Sequence, residues 1–435
     1  MSDTTGIRAL GFFGRAKAAG MERSVVRRAL LLMGFVLPGQ FLNYALLVGG
    51  AHLLGSVAFG IFYASISIIN VLIAPSVIIG LFIARHLAQI RAKVGTNAAI
   101  DAFRMLFRAT ARWGVMGAAL GSAVLGLIGS LVGVESVVLI VLIVATTYAI
   151  YLFEAVRAGF QGLQWIVLLG VTSLTWMAAR FTLGMLGIAV VGAPWAGLAG
   201  ILLAGVVTCA LFHHVIVRTQ ASTAAGAPES FVGIRKLAEF SASYGLFAVI
   251  MYLDVLLGYL ALDRGALGIY AASTMLPKAI VVLSMPVAQV LFPVLTSEES
   301  AGRMSLASVA KGLGLTLCLS GMGAMALVLL SQSFCTGTFS IKICDPGLMR
   351  VLALSAVPIC LVRVIVMIQL ARGRDLHPLL LAVPSAAYVA YLSGLDAYTI
   401  YEFARAYVIF VWAALGFYVL ACLLPARRPP ATAAR

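Results

Sequence analysis

The sequence has few charged residues. Asp, Glu, Lys and Arg together make up 10% of its 435 residues, whereas hydrophobic residues make up 62% and the mean hydropathy is +1.07. A water-soluble protein of this length cannot bury so much apolar surface in its own cores, which excludes an ordinary soluble enzyme. The composition predicts an all-α integral membrane protein with lipid as its main solvent.

The sequence also lacks the motifs of common catalytic sites. No GxxxxGK[ST] phosphate-binding loop, HExxH motif or spaced Cys/His cluster occurs, and His213 and His214 stand at the predicted inner end of a span. No polar segment exceeds about thirty residues, because nearly all of the chain is taken up by runs long enough to cross a bilayer. We therefore expect no covalent catalysis, no metal and no cofactor.

Acidic residues are half as numerous as basic ones, 15 against 30, so the net charge is +15. Nucleic acid is not the expected partner, because the basic residues alternate with apolar runs instead of clustering on one polar domain. Basic loops between apolar runs are typical topology signals of membrane proteins, and they attract anionic lipids.

The apolar runs predict about twelve transmembrane helices, since about twenty residues cross the hydrocarbon core. The predicted spans are 28–50, 57–83, 106–131, 136–156, 165–190, 194–217, 238–262, 267–295, 307–331, 348–371, 379–395 and 403–424. The eleventh is the weakest, because Pro378, Pro384 and Gly394 interrupt it. With the amino terminus inside, the inner segments carry 23 Lys and Arg and the outer segments four. This asymmetry predicts that both termini are cytoplasmic.

The spans form two predicted halves of six. The boundaries are a basic cytoplasmic segment (1–26), an N-lobe (27–218), a polar cytoplasmic linker (219–237), a C-lobe (238–424) and a cytoplasmic tail (425–435). Residues 1–26 suit either an amphipathic helix on the membrane surface or a disordered basic tail.

A short motif recurs once in each half. Ala-Phe-Gly-Ile-Phe-Tyr-Ala-Ser at 58–65 returns as Ala-Leu-Gly-Ile-Tyr-Ala-Ala-Ser at 266–273, in the second and eighth spans. Chance similarity in a chain rich in Ala and Gly is one explanation, and duplication is the other. Duplication of six spans predicts two lobes of equal orientation around a central cavity, which is typical of transporters.

The same residues resemble a known family. Leu-Leu-Gly-Ser-Val-Ala-Phe-Gly-Ile-Phe at 53–62, the segment from Asp254 through Gly268-Ile-Tyr270 to Pro293, and Arg180 are similar to polysaccharide flippases. These O-antigen and exopolysaccharide exporters belong to the multidrug/oligosaccharidyl-lipid/polysaccharide superfamily. The resemblance implies a flippase of undecaprenyl-diphosphate-linked oligosaccharides in the bacterial inner membrane, working by alternating access. It implies membrane lipids and a polysaccharide polymerase or other export machinery as partners.

Two other functions stay open. MATE-type antiporters also have twelve helices, but their bacterial members place acidic residues in the cavity, and the first span here has none. A membrane glycan polymerase or ligase would need a larger outer loop than the one at 332–347.

Charged residues inside the spans are the candidate functional residues, because a charge in the bilayer interior is costly unless it faces a cavity or a partner. Asp254 and Lys278 lie at similar depths in neighbouring spans. They form either a static ion pair or a pair whose lysine is shared with a substrate phosphate. Arg180, Lys278 and Arg363 are the hypothesised lining of a cationic cavity for a diphosphate, the alternative being that each snorkels or pairs across helices.

Two further pairs carry predictions. Glu154 lies three residues before Arg157, so a surface ion pair is the first interpretation, with gating or proton coupling as the second. Cys335 and Cys344 share a predicted outer loop, where an oxidising compartment allows either a disulfide or two thiols.

Overall fold

The computed structural model describes residues 5–132, 136–218, 234–283, 295, 306–339, 343–372, 377–393 and 399–423. Over these ranges the chain is helical and forms no strand. Eight helices within them are long and apolar enough to cross a membrane. An all-helical, multi-pass membrane protein is therefore confirmed, and the number of twelve spans stays a prediction.

The first two predicted spans belong to one long element, α1 (Thr5–Lys93), which is broken at Gly55. Gly55 has φ 70° and ψ 176°, a conformation that residues with a side chain rarely adopt. Beyond the break the chain folds back on itself. The evidence is that a β-carbon on Gly50 would lie 3.5 Å from Phe62 Cε1. In a straight helix these residues would be roughly 18 Å apart along the axis. One uninterrupted 43-residue apolar stretch, Gly34–Ser76, thus contains two arms.

The remaining helices of the amino-terminal half are α2 (Thr96–Val132), α3 (Val137–Gly162), α4 (Ile166–Val191) and α5 (Pro194–Arg218). Of these, α4 and α5 match the predicted spans closely, whereas α2 begins ten residues early and α3 ends six residues late. The ends have local causes: Ser136 caps α3 with its side chain, and Gly192, with φ 68°, ends α4.

The carboxyl-terminal half begins within the predicted linker. Its helices are α6 (Ile234–Ala261), α7 (Arg264–Leu283), α8 (Leu306–Thr338), α9 (Pro346–Ala371), α10 (Ala382–Ser393) and α11 (Ile400–Leu423). A 3-10 turn, His377–Leu381, precedes α10. Residues 219–233 of the predicted linker, 284–294 of the eighth span, and the tail from 424 lie outside the described residues.

The eleventh span is short in the structure, as its prolines indicated. The turn His377–Leu381 and α10 together cover roughly 28 Å, just under the thickness of the hydrocarbon core.

Helix α11 corresponds to the twelfth predicted span and begins with a reciprocal cap. The Glu402 carboxylate accepts a hydrogen bond from the Thr399 backbone N–H, and the Thr399 hydroxyl accepts one from the Glu402 N–H.

Contacts between the halves run mainly through α1, which packs against α3, α4 and α5 of its own half and also against α6 and α7. One such contact joins the two copies of the repeated motif. A β-carbon on Gly60 would lie 3.0 Å from the Gly268 nitrogen, and one on Gly268 would overlap the carbonyl oxygen of Ser56. Gly60 and Gly268 are equivalent positions of the repeat, so the two copies meet each other directly.

Candidate functional site

A buried ion pair joins α6 to α7. Lys278 Nζ lies 2.8 Å from Asp254 Oδ1, and the two side chains are 6% and 0% exposed. The helices are neighbours along the chain and run in opposite directions, so residues at the same depth face each other. The structure thus brings together the two charges that the sequence places at one level. Removing both ions from water costs several kcal/mol each, and good geometry is needed to offset that cost.

The carboxylate of Asp254 also accepts hydrogen bonds from two hydroxyls. Tyr270 donates at 3.1 Å and Thr274 at 3.4 Å, both to Oδ2. Tyr270, Thr274 and Lys278 follow one another at intervals of four residues, so they form one stripe on α7 that faces Asp254. Both oxygens of the buried carboxylate are therefore occupied, so Asp254 is held in place by three side chains of α7.

Two tyrosine rings lie beside the ammonium group of Lys278. Nζ is 5.1 Å from the centroid of the Tyr252 ring and 5.9 Å from that of Tyr63, distances at which a cation is attracted to the face of an aromatic ring. Tyr252 belongs to α6, whereas Tyr63 belongs to the second arm of α1. The ion pair therefore lies where the two halves meet.

Arg180 approaches the same place from the amino-terminal half. It lies on α4 against the first arm of α1, and it is close enough to Tyr252 for an electrostatic interaction. Its Nε is buried and has no hydrogen-bond partner among the described residues, and the same holds for Oδ1 of Asn43 on α1. Tyr252 therefore interacts with two cations from different halves, Arg180 and Lys278.

Arg363 lies elsewhere. It is 4% exposed on α9, and its Cζ is 5.7 Å from the centroid of the Phe247 ring. Phe247 precedes Tyr252 by five residues on α6, about 7.5 Å along the helix axis. Arg363 thus contacts α6 about a turn and a half from Tyr252, the ring beside Lys278, and a common cavity for the three cations stays a prediction.

The other sequence candidates form local structures. Glu154 Oε1 lies 2.7 Å from Arg157 Nη1 within α3, both side chains being partly exposed. Cys335 and Cys344 are joined by a disulfide between the end of α8 and the start of α9. Next to it, Asp345 caps α9 and accepts from the Tyr401 hydroxyl. The described residues contain no group of His, Cys, Asp or Glu arranged to hold a metal ion.

Sequence reasoning missed the tyrosines. Tyr63 and Tyr270 both lie inside the repeated motif, and Tyr252 stands two residues before Asp254, so their positions were a usable signal. A tyrosine in an apolar span is first interpreted as a core residue. Only the packing of α1 against α6 and α7 brings Tyr63 and Tyr252 to the ammonium group of Lys278.

No protein-family model matches the chain, and no curated protein sequence matches it. Solved structures do match over nearly the whole length. A multidrug-resistance MATE family transporter of the MOP superfamily in its inward-facing conformation aligns with TM-score 0.68 and 13% identity, covering 91% of this chain and 97% of that one. The protein has the MATE transporter fold.

Other MATE structures agree. The eukaryotic MATE transporter AtDTX14 aligns with TM-score 0.63 and 13% identity over 91% of this chain and 95% of that one. The outward-facing conformation of a MATE family transporter of the MOP superfamily aligns less well, with TM-score 0.54 and 12% identity over 91% and 94%. At 12–13% identity these likenesses show the fold of the chain, and its superfamily and role stay predictions.

Proposed function

We propose that the protein is a flippase that moves undecaprenyl-diphosphate-linked oligosaccharides across the bacterial inner membrane. The observation that carries the proposal is the buried cation of Lys278 at the boundary between the halves, beside Tyr63 of one half and Tyr252 of the other. Cations buried in a membrane protein are expensive to keep, so they indicate an anionic ligand or a structural pair. Lys278 has a pair in Asp254, whereas Nε of Arg180 is buried with no hydrogen-bond partner among the described residues, and the guanidinium fork of Arg180 suits two phosphate oxygens.

Lys278 provides the proposed switch at this site. When a diphosphate enters, the ammonium group exchanges part of its contact with Asp254 for a phosphate oxygen. Tyr270 and Thr274 still donate to the carboxylate, so Asp254 keeps hydrogen bonds during the exchange. The buried pair thereby holds the lysine side chain in position until the substrate arrives.

Transport would follow alternating access between two six-helix lobes, with twelve spans and both termini in the cytoplasm. The contact of Gly268 with Ser56, and the hydrogen bond between His52 Nε2 and the Thr338 carbonyl oxygen at 2.8 Å, would close the outer side. The TM-score is 0.68 against an inward-facing MATE structure and 0.54 against an outward-facing one. This difference supports the proposal that the structure represents the inward-facing state, which would load substrate from the cytoplasm. Released oligosaccharide would pass to a polysaccharide polymerase or export machinery.

A MATE-type cation-coupled antiporter is the second candidate, and a specific feature favours it. Asp254 is an acid beside aromatic rings, a setting that can bind an organic cation once Lys278 moves away. One MATE neighbour, DinF-BH, was solved in complex with R6G, at TM-score 0.61 and 12% identity over 90% of this chain and 94% of that one. The sign of the ligand separates the two candidates. A glycan polymerase or ligase has no comparable support.

The test is transport by purified protein in liposomes that contain undecaprenyl-diphosphate-linked oligosaccharide. A membrane-impermeant glycosidase removes the sugar that is exposed outside, and flipping exposes the protected fraction. We expect wild-type protein to make the protected oligosaccharide accessible to the glycosidase. Arg180→Gln or Lys278→Gln should lower the rate of this cleavage at least tenfold. Arg264→Gln, at an exposed arginine outside the central site, is the matched control.

Drug transport is measured in the same liposomes with rhodamine 6G. Rhodamine transport without sugar translocation would replace the flippase by the antiporter. Sugar translocation that persists when both Arg180 and Lys278 are neutralised would remove the cationic site from the mechanism.

A further inference from the structure

A row of arginines lies on α2, away from the central site. Arg104, Arg108 and Arg112 repeat every four residues, so they lie on one side of the helix, one turn apart. With Asp101, Met105 and Ala109 they line a groove of about 400 Å³. We call these six residues the arginine groove.

The groove faces away from the helix bundle. The opposite side of α2 is buried through Ala102, Phe103 and Leu106, and the Phe107 ring lies 4.3 Å from the ring of His213 on α5. At 100° per residue, Arg108 points almost directly away from the middle of this buried side. The ligand of the groove therefore comes from the surroundings of the protein.

One arginine is fixed and two are available. Arg104 Nη1 lies 2.8 Å from Asp101 Oδ1, and Arg104 Nη2 donates to the Val217 carbonyl oxygen at 2.9 Å. Arg108 and Arg112 are exposed, and no described residue forms an ion pair or hydrogen bond with their side chains. Their two guanidinium groups can each offer parallel hydrogen bonds to phosphate oxygens.

The position of the groove along α2 indicates the bilayer surface. With 37 residues α2 is roughly 55 Å long, far more than the 30 Å hydrocarbon core, so one end lies among headgroups or beyond. Trp113, 65% exposed, directly follows Arg112, and exposed tryptophan marks the membrane interface. In the predicted topology this end of α2 is cytoplasmic.

We propose that the arginine groove binds the phosphate of a lipid headgroup in the inner leaflet. Two sources share this chemistry: an anionic phospholipid such as phosphatidylglycerol, and the diphosphate of a polyprenyl lipid. The proposal rests on the predicted orientation of α2, and it does not require that the protein transports sugar. It assigns a ligand to Arg108 and Arg112, which the central site does not use.

The test uses Trp113 as a reporter beside Arg112. A variant that keeps only this tryptophan, the other four being replaced by Phe, is reconstituted in phosphatidylcholine vesicles. Brominated phosphatidylglycerol or brominated phosphatidylcholine is added at equal mole fractions, and quenching of Trp113 gives the relative affinity of the groove. We expect phosphatidylglycerol to be preferred at least tenfold, and Arg108→Gln and Arg112→Gln each to reduce this preference about fivefold.

Controls separate a site from general attraction to an anionic surface. Arg264→Gln removes the same charge from a remote exposed position and should leave the preference unchanged. Equal quenching by both lipids, or a preference that survives the double variant Arg108→Gln/Arg112→Gln, would overturn the proposal. Undecaprenyl diphosphate is then added at about one mole per cent. Its displacement of brominated phosphatidylglycerol would identify the diphosphate as the ligand, whereas no displacement would identify the phospholipid; either result supports a phosphate site.

Discussion

Lys278 and Asp254 form a buried ion pair, 2.8 Å between Nζ and Oδ1, at the point where α1 crosses α6 and α7. The pair has two possible roles, structural support and substrate exchange, and these roles predict different behaviour of the same variants. Breaking a buried pair leaves an uncompensated charge, whereas replacing both partners by neutral residues is often tolerated.

The single variant Lys278→Met is therefore expected to lower stability by about 3–5 kcal/mol, and the double variant Asp254→Asn/Lys278→Met to recover most of that loss. Thermal unfolding in detergent measures both. If the double variant regains stability but not sugar translocation, Lys278 serves the substrate. If it regains both, the pair is purely structural.

The hydroxyl of Tyr270 should contribute to the stability of the protein, because it donates a hydrogen bond to the buried carboxylate of Asp254. Tyr270→Phe removes a hydrogen bond to a buried carboxylate and is expected to cost about 1.5–3 kcal/mol of stability. Tyr418→Phe is the matched control, because the buried Tyr418 hydroxyl has no hydrogen-bond partner among the described residues and its removal should be neutral or stabilising. Equal losses in the two variants would contradict the proposed role of Tyr270.

A side chain at Gly268 should open the outer contact between the halves. Any β-carbon there overlaps the Ser56 carbonyl oxygen, and such overpacking costs about 1–3 kcal/mol. In a cysteine-free protein with Tyr63→Cys, we expect Gly268→Ala to raise labelling by an impermeant maleimide from the outside severalfold. Gly314→Ala, where a β-carbon meets nothing within 4 Å, controls for a general effect of alanine. Unchanged labelling would exclude Gly268 from the closure.

The disulfide should stabilise the segment between α8 and α9. Closing a loop of nine residues is expected to contribute about 2–3 kcal/mol through the unfolded state. Protein isolated under non-reducing conditions should resist alkylation at Cys335 and Cys344, whereas both should react after reduction with dithiothreitol. Full alkylation of both residues without reductant would show that the bond does not form in cells.

The sequence predicts features that depend on a single helix, such as its ends and the depth of a residue. It does not predict which side chains of different helices meet. Apolar length sets helix ends, so α3, α4 and α5 lie within a few residues of the predicted spans, except for the six-residue extension of α3. Depth also follows from counting at 1.5 Å per residue, which is why Asp254 and Lys278 could be matched across neighbouring helices. Lateral position does not follow in this way. Arg180 and Arg363 both stand in apolar local sequence, yet one interacts with Tyr252 and the other lies against Phe247, because the rotation of α4 and α9 is set by their neighbours.

The contact of Gly60 with Gly268 has an evolutionary consequence. Two equivalent positions that touch must lie close to the axis relating the two lobes that we propose. In a dimer of one six-helix unit, that glycine would meet its own counterpart, which is the self-complementary contact of a twofold dimer. A single-unit ancestor could thus have assembled through this contact before its gene was doubled and joined by the linker at 219–237.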